Sequence, residues 1–125
     1  MTSYGAALKQ ASNAYGGAQI STAPQKKLLL MLYDGAVTNL MVAEKAIESK
    51  DYETVHHKLV KTQDILVELM ATLNFDAGGE IAGQLYQLYD YFHWSLVQAN
   101  VKKDSVLVAE VRTYLEELRS SWQHL

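Results

Sequence analysis

At 125 residues the chain has the length of one domain and can bury a real core. Apolar content of 49% and charged content of 20% exclude a disordered chain, and a net charge of −3 excludes the basic footprint that nucleic acid demands. The absence of cysteine removes disulfide and thiol chemistry. The longest apolar run, Leu28 to Tyr33, falls far short of the roughly 20 residues of a spanning helix, and no secretory signal pattern follows Lys9. A helix-rich protein of the cytosol, without membrane insertion, is expected.

Residues 1–23 are rich in small and polar residues, with Gly5 and Gly16-Gly17 as breakers. Tyr4, Leu8, Ala11 and Tyr15 nevertheless step by four, three and four, and Ile20 follows. Helix nucleation is costly, so this arm folds only against a body, with Leu8, Tyr15 and Ile20 as anchors. Pro24 suits the first position of a helix over about 24–49. Its inner stripe is Leu29, Leu32, Ala36, Leu40, Ala43 and Ile47. Tyr33 and Asp34 offer polar groups that close a bundle, the first through a phenol hydrogen bond. Asp51 caps a second helix over about 52–74, striped by Val55, Leu59, Thr62, Leu66, Leu69 and Leu73.

The third helix, about 80–101, follows the Gly78-Gly79 breaker. It carries Ile81, Leu85, Leu88, Phe92, Ser95/Leu96 and Ala99 on one stripe, with Tyr86, Tyr89, Tyr91 and Trp94 in surplus. The fourth, about 104–122, has Val108, Val111, Leu115, Leu118 and Trp122 inside. Glu110, Arg112, Glu116, Glu117 and Arg119 mostly supply its wetter face. Short links force antiparallel neighbours. The expected fold is all-α: an antiparallel up-down four-helix bundle over 24–125, with the 1–23 arm or a short helix packing on it.

Catalytic patterns are scarce. Glu53/His56 has the Glu-x-x-His spacing of bundle metal sites, and Asp90/His93 approximates it. In the expected hairpin the two pairs lie about 16 Å apart along the bundle, so no metal site is expected. His57, Leu59 and Lys61 loosely match the H-x-L-K-G pattern of histidine phosphotransfer domains, but Val60 intervenes and no glycine follows. No nucleophile with a base and no phosphate loop is present, so neither enzyme activity nor a cofactor is expected. Phosphotransfer through His57 remains one alternative, and a helical self-association module is another.

Several stretches together resemble the FliS family of flagellar export chaperones. They are PQKKLLLMLYDGA (24–36), KTQDILVEL (61–69) with Leu73-Asn74, GGEIA (78–82), LYQLYDYF (85–92), Ala99-Asn100 with Lys103-Asp104, and Trp122. They stand in the family's order and spacing over roughly residues 4–122. Ala23 stands where the family often has Ser, and His93-Trp94 where it usually has basic residues.

The resemblance implies a cytosolic chaperone, a monomer or weak dimer, that binds the disordered C-terminal segment of flagellin in hydrophobic grooves. Such binding prevents premature polymerisation and assists type III flagellar export. An export-gate protein, an anti-sigma factor and a co-chaperone are further candidate partners. The groove is assigned to Ile65, Leu66, Met70, Leu73, Tyr86 and Tyr89. An N-terminal cap over it is assigned to Tyr4, Leu8, Tyr15 and Ile20.

Overall fold

A computed structural model of the chain describes residues 9–15 and 23–124. Four long helices carry the fold: α1 (Ala23–Glu48), α2 (Tyr52–Ala71), α3 (Phe75–Lys102) and α4 (Ser105–Gln123). Residues 9–13 form a short helical segment ahead of them. No strand occurs among the described residues.

Local chemistry sets each turn. Lys50 adopts a left-handed conformation with φ 61°, and the Asp51 N–H donates back to the Ala46 carbonyl at 2.9 Å, closing the end of α1. Asp51 then opens α2: its carboxylate accepts from the hydroxyl (2.7 Å) and the backbone N–H (3.3 Å) of Thr54. Those two bonds hold the Asp51 carboxyl below its ordinary pKa. Asn74 caps α3 by accepting from the Ala77 N–H at 3.0 Å. Lys103 is left-handed at φ 52°, and Asp104 accepts from Val106 N–H at 2.9 Å to start α4. The links at 49–51, 72–74 and 103–104 are too short for anything but reversal.

Packing follows the stripes. α1 lies on α2 and α4, and α3 lies on the same two, so the helices close an up-down ring whose loosest seam is α3–α4. Ala36, Leu40 and Ala43 of α1 meet Val55, Leu59, Leu66 and Leu69 of α2 in a fully buried core. Phe92, Leu96 and Ala99 of α3 and Val108, Leu115 and Trp122 of α4 complete it. Buried Thr62 satisfies its hydroxyl by donating to the Lys58 carbonyl at 2.9 Å.

The third helix differs from its expected outline. It begins at Phe75 rather than near 80, because Asn74 supplies a cap before the glycines. The helix breaks at Gly79, where φ 53° and ψ −126° are open only to glycine, and resumes near the expected start. The second helix stops at Ala71, and Leu73 is buried from the link.

Candidate functional site

The chemistry-bearing groups gather around α3. At its N-terminal end the arm is seated on the bundle. Ala14 is fully buried, and its carbonyl accepts the Asn74 N–H at 2.5 Å. A Cβ added at Gly78 would come within 2.4 Å of the Ala14 Cα, so only glycine lets the arm approach this closely.

Beyond Ala14, Tyr15 reaches into the bundle. Its hydroxyl meets that of Tyr89 on α3. Tyr89 in turn meets the hydroxyl of Tyr33 on α1 at 2.5 Å, and Trp122 of α4 donates its indole N–H to Tyr33 at 3.0 Å. The Tyr15 ring packs edge-on to Trp122 at 5.3 Å between centroids. One chain of hydroxyls thus joins the arm to three helices. Burial, reinforced by the neighbouring phenols, raises all three tyrosine pKa values well above the ordinary range.

Two open clefts flank α3. On the α2 side a groove of about 360 Å³ is lined by Val67, Met70, Ala71, Tyr86, Asp90 and His93. The Tyr86 ring also leans on Phe75, 6.0 Å away between centroids. On the α4 side the loosest seam opens into a cleft of about 700 Å³. Tyr91, Phe92, Val106, Val111 and Tyr114 supply its apolar walls, and Glu44, Glu48, Glu110 and Glu117 rim it. Phe92 and Tyr114 pack with tilted rings 5.3 Å apart between centroids and Tyr91 lies 6.2 Å from Phe92, so the floor is aromatic. Arg112 pairs with Glu44 at 2.5 Å and with Glu116 at 2.7 Å, and Arg119 pairs with Asp34. The pairs to Glu44 and Asp34 bridge α4 to α1, while its α3 side stays open.

The six expected groove residues are split by this arrangement. Met70 and Tyr86 do face each other across the α2–α3 groove. Leu66 and Tyr89 are fully buried and Leu73 nearly so while the arm is seated. The reason is that 55-59-62-66-69-73 is itself the core seam of α2, and Tyr89 lies beneath the arm. Ile65 is half-buried on the α1 side, its methyl 3.4 Å from where a Gly35 Cβ would stand, so it belongs to a different seam. Of the cap residues, Tyr15 is docked, and Tyr4, Leu8 and Ile20 lie outside the described residues.

The larger cleft escaped the sequence reading. Val106, Glu110, Thr113 and Glu117 step by four, three and four along the face that lines it, and its two glutamates were expected on the wetter side of the helix. Half-exposed Tyr114 beside it was the available signal. Of the histidines, His56 bonds through Nδ1 to the Asn100 amide at 2.8 Å, and His57 is exposed on α2. Among the described residues no three His, Asp or Glu side chains converge as a metal site would need.

Fold and clefts together define a helical bundle that presents segment-sized apolar surfaces around one central helix. The chain belongs to the family described as flagellar protein FliS, which matches residues 8–125. It is 37% identical over 117 residues to the flagellar secretion chaperone FliS of Bacillus subtilis, covering 94% of this chain and 86% of that one. To FliSB, a flagellar secretion chaperone of Pseudomonas aeruginosa, it is 34% identical over 116 residues, 93% of this chain and 92% of the relative. The FliS of Salmonella typhimurium is 34% identical over 107 residues, 85% and 79% of the two chains. No helix among the described residues is long and apolar enough to cross a membrane.

Proposed function

We propose that the chain is a flagellar secretion chaperone of the bacterial cytosol that holds the C-terminal segment of flagellin against α3 and so keeps it from polymerising. The aromatic cleft of about 700 Å³ on the α3–α4 seam carries this reading. A guest that is disordered when free loses about 2–5 kcal/mol on ordering, so it needs a large dry contact. Tyr91, Phe92 and Tyr114 supply it on one flank of α3, and Val67, Met70 and Tyr86 on the other. The mode is helix-in-groove recognition. The seated arm is the cap: Ala14 and Tyr15 occupy the N-terminal end of the same helix and leave when the guest arrives. Nothing in this mechanism asks for turnover of a small substrate.

Titration of the full chain with the C-terminal segment of its own flagellin, by calorimetry at two temperatures, tests it. One-to-one binding with a negative heat-capacity change is expected. Tyr114→Asp is expected to weaken that binding at least about tenfold, because a carboxylate must then be desolvated in the cleft, with the helical circular dichroism unchanged. Silence of the parent chain at both temperatures, with the segment shown intact, would remove the reading.

A further inference from the structure

The outer face of α3 carries a second stripe that the bundle leaves unused. Gln84, Gln87, Tyr91, Trp94, Gln98 and Val101 step by three, four, three, four and three, and none of them is charged. All but half-buried Gln98 are exposed, Trp94 at 59% and Val101 at 76%. A 3.5-residue period is the one that seats a neighbouring helix along its whole length. Through Tyr91 this stripe is continuous with the aromatic cleft beside α4. The far wall of that cleft is acidic. Arg112 is paired with Glu44 and Glu116, which leaves Glu110 and Glu117 of α4 without a cation among the described residues. These two glutamates stand one heptad apart, about 10 Å along the helix.

We infer that the part of the guest held on this flank is a helix with a lysine or arginine flank. It lies along α3 and α4 as a fifth long helix of the bundle. Its apolar stripe covers Tyr91, Trp94 and Val101, and its cations face Glu110 and Glu117. This rests on the chaperone reading above and deepens it by naming the guest's shape and charge. The shape follows from the backbone. Within α3 and α4 the main-chain groups are bonded internally, so the cleft offers no strand edge. A guest buried there must satisfy its own N–H and C=O groups, and a helix does. The charge follows from the rim. A cation beside either glutamate is attracted, whereas a carboxylate there is repelled. Two cations one heptad apart match both glutamates at once, so the pair also sets the register of the guest helix. Apolar helices with acidic flanks are thereby turned away.

Trp94 is a built-in probe of the stripe, because the other tryptophan, Trp122, is only 2% exposed. The full chain is titrated with the C-terminal segment of its own flagellin while acrylamide quenching of tryptophan emission is followed. A Trp94→Phe chain assigns the signal. The Glu110→Gln/Glu117→Gln variant is titrated in parallel at low and high salt. Both positions are exposed and glutamine suits a helix, so this variant keeps the fold. Quenching of Trp94 is expected to fall in the complex. The double variant is expected to bind about fivefold more weakly at low salt, and the difference to close at high salt. Unchanged quenching of Trp94 at saturation overturns the inference while the chaperone reading stands. Equal affinity of the double variant at low salt does the same. No binding by the parent chain overturns both.

Discussion

Tyr33 does with one oxygen what its neighbours do with whole side chains: it links α1 to α3 and α4 inside the core. Replacing it by Phe keeps the ring and strands the Trp122 N–H, so Tyr33→Phe is expected to lower the unfolding free energy by about 1–3 kcal/mol. An unchanged urea midpoint would show that the bond contributes nothing. The three phenols also set a pH limit. Their folded pKa values lie above the unfolded value of about 10, so below that pH both states hold the proton and the stabilisation is intact. As pH rises past about 10 the unfolded chain releases protons that the native one keeps, and stability falls. The decline in urea midpoint between neutral and strongly alkaline pH is expected to be shallower in a Tyr15→Phe/Tyr33→Phe/Tyr89→Phe variant. From the sequence, Tyr33 was legible as a phenol that closes the bundle. Tyr89 was not, because it lies next to Leu88 on the rim of the stripe, and only the neighbouring arm decides that it is covered.

Among the elements, α3 carries the most consequential break. Asn74 starts it, Gly78 admits the arm and Gly79 interrupts it, all within its first turns. Gly78→Ala suits a helix locally but sets a methyl against the Ala14 backbone, so the arm is expected to leave while the bundle stays folded. Hydrogen exchange reads this directly. The Asn74 amide, which donates to Ala14, should lose protection, while core amides of α2 and α4 keep theirs. Protection retained at Asn74 would show that α3 shifts to accommodate the methyl. The two glycines announced a breaker in the sequence. That one of them is a seat rather than a hinge was not legible, since close approach depends on a segment some sixty residues earlier in the chain.

For the molecule as a whole, periodicity was a sufficient guide to the bundle. The inner stripes of the four long helices became buried or half-buried faces, and caps at Asp51, Asn74 and Asp104 fixed the reversals. The open surfaces were only half legible, for a physical reason: a stripe identifies a face but not the helix opposite it. Met70 and Tyr86 line the α2–α3 groove, and both are apolar and off-stripe. Leu66 is buried because its helix spends that stripe on the core. The Arg119–Asp34 pair illustrates how little exposed charge does for the whole: Arg119→Ala is expected to cost less than about 1 kcal/mol in urea unfolding, and a larger loss would mean that α4 depends on it.

The seated arm has a consequence for how the proposed chaperone responds to supply. Arm and seat belong to one chain, so their encounter is intramolecular and dilution does not weaken it, whereas capture of a separate guest weakens in proportion to dilution. A competitor held at fixed effective concentration multiplies the apparent dissociation constant by a constant factor. The guest level at half-occupancy, here called the threshold, is thereby raised: well below it most of the proposed chaperone is closed on itself, and its apolar end is hidden from unrelated chains. A single methyl group at Gly78 would lower that threshold permanently.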